Sequence, residues 1–247
     1  MRHTIRLAAA GVILGAALAP TAFGAASNDP AFANTVISIE GRTGNVLQPA
    51  WVAVRKTGTR VVRDSQGTRV RISARSVLSQ ALLGTSEAKV ALRWSWYPEF
   101  GAPWITSIAG QGPKGAQGWN FRVNSLYLAR AANRVNLSVG DRVTWYWGKE
   151  FATVLEIAAP KLGIAPGASI PAGPFTAKIN EVTSKNVRTP SAGATVTYGT
   201  ATGVTGPDGT VTLTTQPGVN VLRVTKAGRI SATKQLCTIG APECNIS

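Results

Sequence analysis

The chain has 247 residues, with 26 Lys and Arg against 11 Asp and Glu, a formal net charge of +15, and only 15% charged residues against 44% hydrophobic ones. That length allows one large domain or two ordinary ones, and the apolar and aromatic content excludes an intrinsically disordered chain. The only His is His3 and the only Met is Met1. If the N-terminus is cleaved, neither remains, and a Ser-His-Asp relay, a Cys-His pair and a His-ligated metal are all excluded.

Arg2, His3 and Arg6 precede an apolar run over 7–19, broken by Pro20 and followed by the small-residue stretch Ala22-Phe-Gly-Ala-Ala26. The run is 13 residues long, short of the roughly 20 needed to span a bilayer. Residues 1–26 therefore read as a secretory signal. Its removal takes two positive charges, Arg2 and Arg6, off the +15 and leaves +13. No Cys near the cleavage region would carry a lipid, and no later stretch is apolar enough to insert in a membrane. The expected location is secreted, extracellular or associated with the cell envelope. In such an oxidising compartment Cys237 and Cys244, the only two cysteines, are expected to form a structural disulfide around a small terminal loop, worth about 2–3 kcal/mol. Two thiols fall short of the four ligands of a structural zinc site, so no metal is expected.

Composition changes near residue 160. All seven Trp lie between Trp51 and Trp147, and beyond 160 the only aromatics are Phe175 and Tyr198. Residues 158–174, with four Pro and three Gly, read as a semi-stiff linker between a domain at 27–157 and another at 175–247. In the first, strands are expected at 35–40, 50–54, 60–63 and 68–72, the last two flanking the hairpin turn Asp64-Ser-Gln-Gly67. Val77, Leu78, Ala81 and Leu82 recur at helical spacing and predict a helix over 74–83, capped by Ser73 and ended by Gly84. Strands resume at 90–96, 104–108, 119–123 and 142–147. One helix among many strands predicts an α+β fold with the helix covering a sheet. The second domain reads as all β, with strands at 176–183, 194–198, 210–215 and 220–226. Its Gly206-Pro-Asp-Gly209 is a turn in which Gly supplies positive φ. Short strands at this spacing suggest a small β-sandwich.

Trp119-Asn-Phe-Arg-Val-Asn124, followed by Gly140-Asp-Arg-Val-Thr-Trp-Tyr-Trp147 and preceded by Trp104-Ile-Thr-Ser-Ile-Ala-Gly110, resembles the signature of the transcobalamin C-terminal-like domain family, many members of which have no assigned function. The resemblance runs over roughly 35–158 and implies a β-grasp-like fold. Ser125 stands where that family usually has Gly. The segments Ser191-Ala-Gly-Ala-Thr-Val196, Thr205-Gly-Pro-Asp-Gly-Thr210 and Pro217-Gly-Val-Asn-Val-Leu-Arg-Val224 resemble carboxypeptidase-regulatory-like, or transthyretin-like, domains, which implies a non-catalytic β-sandwich.

The acids of the first domain, Asp29, Glu40, Asp64, Glu87, Glu99, Asp141, Glu150 and Glu156, sit at no spacing that marks a catalytic pair. Asp64 and Asp141 read as turn residues. Gln111-Gly-Pro-Lys-Gly-Ala-Gln-Gly118 is Gly-rich but precedes a strand, so it lacks the helix N-terminus that holds phosphate and reads as a mobile surface loop. Trp94 and Trp96 share one strand face, Trp145 and Trp147 another, with Tyr97 and Tyr146 opposite. They are either packed core or, where a pair is exposed, a stacking surface for a small planar or sugar-like ligand. Trp104 and Trp119 beside the Gly-rich loop, with Asn124 of the signature, would complete such a groove. Arg55, Lys56, Arg60, Arg63, Arg69, Arg71 and Arg75 place seven cations within 21 residues against Asp64 alone. They form either a solvated face or a contact for an anionic envelope polymer. No specific nucleic-acid motif is present.

These features point to a secreted or cell-surface binding or adhesion module without catalysis. One alternative, implied only by the transcobalamin resemblance, is weak binding of a cobalamin-like corrinoid, since no helical partner domain accompanies it here. A second alternative is a structural envelope protein held by charge. No other cofactor is expected.

Overall fold

The computed structural model describes residues 26–160 and 168–239. The signal reading, Cys244 and the middle of the expected linker lie outside these residues, apart from Ala26 at the signal's end. In chain order the elements are β1 (Phe32–Glu40), β2 (Asn45–Arg55), β3 (Thr59–Arg63), β4 (Arg69–Ser73), α1 (Val77–Glu87), β5 (Leu92–Tyr97), β6 (Ala102–Ile108), β7 (Gly118–Val123), β8 (Arg142–Gly148), β9 (Val154–Ala159), β10 (Ala168–Ile170), β11 (Pro174–Val182), β12 (Arg188–Pro190), β13 (Thr195–Tyr198), β14 (Ala201–Val204), β15 (Thr210–Thr214), β16 (Val219–Thr225) and β17 (Ala232–Thr238). With one helix among the described residues and several sheets, the class is α+β.

The first half is built on a four-stranded sheet of order β2-β1-β8-β7, in which β1 and β8 run parallel and the other pairs antiparallel. Side chains alternate across it. One face carries Ile37 and Ile39 of β1, Val52 of β2, Val143 and Trp145 of β8 and Trp119 and Val123 of β7, all buried in one apolar cluster with Val77, Leu78 and Ala81 of α1. The helix starts later than its periodicity suggests. Ser76, not Ser73, is the N-cap, and its hydroxyl accepts from the Ser79 amide at 3.2 Å. Ser73 instead offers its carbonyl to the hydroxyls of Ser76 and Ser79. Gly84 does not end the helix. It is buried inside it, where a Cβ would stand 2.9 Å from Val52 Cγ2 and 3.0 Å from Ile37 Cγ2. The residue is glycine because helix and sheet approach closely there.

Two hairpins flank this layer, β3–β4 and β5–β6. The turn after β7 forms without glycine. Asn124 and Ser125 both take positive φ, 51° and 67°. Asn124 holds the turn by donating to Asp141 Oδ1 at 2.8 Å and accepting from the Arg142 amide at 2.9 Å. Asn tolerates the left-handed region through such local bonds.

The second half contains a five-stranded sheet, β10-β17-β16-β13-β14, and a second sheet, β12-β11-β15, with β9 also paired to β11. Both contribute to one apolar cluster, with Ala177 and Ile179 of β11 and Leu213 of β15 facing Val196 and Tyr198 of β13, Leu222 and Val224 of β16 and Leu236 of β17. Chain partition and sheet partition differ here. β9 begins before the expected linker and ends inside it yet pairs with β11 at its far end, and within that linker residues 168–170 pair with β17. Cys237 on β17 is fully buried.

The far face of the first sheet meets the second half. Glu40, Arg122, Arg142, Thr144 and Tyr146 alternate with the core-facing residues of β1, β7 and β8 and so point away from α1. Tyr146 packs with Val154 and Val182 in a small apolar cluster that spans the halves.

Candidate functional site

The tryptophans divide by strand face. Trp94 pairs with Ile105 and Trp96 with Pro103 on the inner face of β5–β6, where Trp94 is buried and Trp96 half-buried. Trp119 and Trp145 are buried in the same core. Trp147 is half-buried and lines an open groove of about 780 Å³ with Phe151, Arg42 and Lys149. One face of its indole is already covered by the Arg42 guanidinium, 4.6 Å from the ring centre. Neither tandem pair is exposed as a unit, and the six tryptophans among the candidates do not line one groove.

The Gly-rich loop at 111–118 is held rather than free. Trp119 Nε1 donates to the Gln111 carbonyl, Trp147 Nε1 donates to the Gly112 carbonyl at 3.1 Å, and Arg42 donates to that same carbonyl. These two indoles act as structural donors to the loop.

Trp104 is different. It pairs with Ser95, on the opposite face of the hairpin from Trp94 and Trp96, and is 53% exposed. Tyr97, 41% exposed, lies diagonally across from it on the same face, and Phe100 in the connecting turn is 69% exposed. Alternation in the sequence places Tyr97 on the side opposite the tryptophans without marking it as a site residue, and nothing in the local pattern marks Phe100. The turn is fixed from outside, because Arg134 donates to the Phe100 carbonyl at 2.8 Å and Asn133 to that of Gly101 at 3.1 Å.

The basic stretch also divides. In β3–β4, Arg63 is opposite Arg69 and Val61 opposite Arg71, so the three arginines share one exposed face. Arg60 lies on the other face with buried Val62, Val70 and Ile72. Arg55 and Lys56 stand at the end of β2 and Arg75 beyond β4, Arg55 over the Phe32 ring. Among the described residues none of the seven makes an ion pair. Asp64, the one nearby acid, accepts from the amides of Gln66, Thr68 and Trp96 at 2.9, 2.8 and 2.9 Å.

That last bond joins the two hairpins. Asp64 Oδ2 takes the Trp96 amide, and Ser65 both accepts from the Trp94 amide at 3.0 Å and donates its own to the Trp94 carbonyl at 2.9 Å. The Asp64-Ser65 turn thus docks on β5, and the arginine hairpin and the aromatic hairpin form one contiguous unit. The Trp96 amide, opposed by burial and aided by the amides of Thr68 and Gln66, holds the Asp64 carboxyl below its ordinary value of 3.8. A carboxyl depressed on folding stabilises the fold above its unfolded pKa and loses that contribution as pH falls through the folded one. Asp64→Asn should therefore lower the thermal midpoint at pH 7, and the deficit against wild type should shrink as the pH falls below 3.8. Melting curves from pH 7 to strong acid check this.

No curated protein matches the chain. Residues 87–149, from the end of α1 through β8, match the family model described as a domain of unknown function, DUF4430, which is the transcobalamin-like domain family.

Proposed function

We propose that this protein is a secreted or cell-surface adhesion module without catalysis, whose ligand is an anionic, sugar-containing polymer. The observation that carries this reading is the coupled hairpin unit, which presents Tyr97, Phe100 and Trp104 to solvent beside three unpaired arginines. Three large aromatics exposed together form an apolar patch of the kind that marks a binding surface, and sugar rings stack on such faces. Arginine donates in pairs to planar or tetrahedral oxyanions. The absence of His beyond His3 supports a non-catalytic role. The signal-like residues 1–26 support export, and a Cys237–Cys244 disulfide fits that compartment.

The same reading treats the first half as a β-grasp domain, on the strength of the order β2-β1-β8-β7 with parallel β1 and β8 beneath one helix. It treats the second half as a carboxypeptidase-regulatory-like sandwich, supported by two sheets sharing one core. Corrinoid binding rests on family resemblance alone, and co-elution measured by corrinoid absorbance decides it.

Heparin is a suitable probe for the main reading, with dextran as the uncharged control. Wild type should bind heparin at low salt and lose it as salt rises, because the arginine contacts are exposed. Trp104→Ala should weaken binding by about tenfold at fixed salt. Arg63→Ala/Arg69→Ala/Arg71→Ala should weaken it further and flatten the salt dependence. Unchanged retention of both variants overturns the proposal. Salt-sensitive binding lost in the triple variant but kept in Trp104→Ala supports instead an envelope protein held by charge alone.

A further inference from the structure

On the far face of the first sheet, the parallel register sets Val36 beside Arg142 and Ser38 beside Thr144, and the β7–β8 register sets Arg122 opposite Thr144. These residues form one wall of a cleft of about 220 Å³, and Glu156 of β9 with Ser231 and the first residues of β17 forms the other. We propose that this cleft between the two halves binds a small oxyanion, of the phosphate or sulfate class, held by Arg122, Arg142 and Lys234. The site is separate from the hairpin unit and does not depend on it.

The first support is an unsatisfied donor. Arg122 is completely buried. Its Nη1 donates to the Thr183 carbonyl at 3.3 Å and its Nη2 to the Ala152 carbonyl at 2.8 Å, but its Nε has no partner. A buried guanidinium N–H without an acceptor is costly, and Arg122 is one of the residues that line the cleft. The second is charge. Among the described residues no carboxylate pairs with Arg122, Arg142 or Lys234. The one acid in the wall, Glu156, is clasped by Arg188 through Nε at 2.9 Å and Nη2 at 3.1 Å and by Asn180 at 3.2 Å. Arg142 acts electrostatically on Lys234 and Arg122 lines the same cleft, while the acid in its wall is already matched by Arg188. The Thr144 hydroxyl, which accepts from Ser38 at 3.2 Å and keeps its own proton, also lines the space and can donate to an oxyanion. Lys234 donates to the Pro160 carbonyl at 2.9 Å, and its ammonium is depressed to about 8, by burial first and by Arg142 second, with Glu156 opposing. An anion placed among these groups restores the charged form.

Sulfate is the cleanest probe, because its charge is constant across the relevant pH range. Titration calorimetry of the full chain with sodium sulfate at pH 7, at constant ionic strength in chloride, should show saturable binding at one site. Arg142→Gln and Lys234→Gln should each weaken it by about tenfold, the scale of a lost charge-assisted bond, while Arg130→Gln, exposed and outside the wall, should leave it unchanged. Affinity should fall as pH rises through about 8, as Lys234 loses its proton, and Lys234→Gln should abolish that dependence. Parallel titration with inorganic phosphate and with acetate separates a tetrahedral oxyanion from a carboxylate. Circular dichroism verifies that each variant is folded, and the two substitutions on different halves guard against misfolding of either. Absence of saturable sulfate binding in wild type, or equal binding by both folded variants, overturns the proposal. Loss of heparin binding with sulfate binding intact bears on the hairpin reading only.

Discussion

Alanine at Gly209 should cost the second half about 3–5 kcal/mol of stability, the sum of backbone strain and a forced displacement of packed backbone. Gly209 has φ +76°, a region that L side chains rarely adopt. A Cβ there would lie 2.5 Å from the Ile179 carbonyl oxygen and 3.0 Å from the Ser191 amide nitrogen. Neither neighbour is a side chain that can swing away. The Gly209 carbonyl also accepts from the Ile179 amide at 2.8 Å, and the Ser191 amide donates to the Ile179 carbonyl at 2.9 Å. Any shift that relieves the clash therefore breaks bonds that tie β11 to the 206–209 turn and to the chain after β12. Gly228 is the control. Its φ is +70° but nothing stands within 4 Å of its virtual Cβ, so Gly228→Ala should cost only about 1 kcal/mol of strain. Urea titrations followed by far-ultraviolet circular dichroism measure both. A similar loss in the two variants would mean that conformational strain alone, not the close approach to β11, makes glycine necessary at Gly209.

The same glycine shows what the sequence made legible. Gly206-Pro-Asp-Gly209 declares a turn through local chemistry, and the turn is there, with the Gly209 amide donating to the Gly206 carbonyl at 2.9 Å. The backbone packed against it, at Ile179, Pro190 and Ser191, comes from well before the turn, and local chemistry cannot announce that. Gly84 misleads for the same reason. Its helix-ending tendency is real, but its place is set by Val52 and Ile37 on the sheet. Strands with clean alternation, such as β4 with Val70 and Ile72 against Arg69 and Arg71, were legible because one side is buried and the other wet. β14, four residues with an internal glycine, and β17, with Lys234 and Gln235 at its centre, carry no such pattern. The Pro- and Gly-rich stretch 158–174 puts residues 154–157 with the first domain, whereas the hydrogen bonds of β9 go to β11. For the candidate site, the period-2 rule correctly grouped Arg69 with Arg71 and Trp94 with Trp96. It could not say which face is open. That depended on where α1 and the second half lie, and they leave Trp104, Tyr97 and the arginines in solvent while covering the other tryptophans wholly or in part.

The junction between the halves should depend most on Glu40. It ends β1 on the far face of the first sheet, is nearly inaccessible to solvent, and reaches only groups from its own hairpin and the second half. Oε1 accepts from Asn45 Nδ2 at 3.0 Å and from Thr233 Oγ1 at 2.6 Å, and Oε2 accepts from Arg223 Nη2 at 3.3 Å. Arg223 and Thr233 are directly opposite each other on β16 and β17, so one carboxylate clamps two strands of the second half to the first. Glu40→Ala should cost about 3 kcal/mol, because it strands a partly buried guanidinium and orphans two further donors. Arg223→Ala should cost less, since Glu40 keeps Asn45 and Thr233. The double variant should cost less than the two singles combined, because neither charge is left behind. All seven Trp precede residue 160, so tryptophan fluorescence reports the first half while far-ultraviolet circular dichroism reports both. In wild type the two signals should unfold together. In Glu40→Ala they should separate, with the circular dichroism midpoint falling below the fluorescence midpoint. Coincident midpoints at the wild-type position would assign the coupling instead to the Tyr146–Val154–Val182 cluster and the β9–β11 ladder. A variant that opens that cluster, Val182→Ala, should then produce the separation that Glu40→Ala did not.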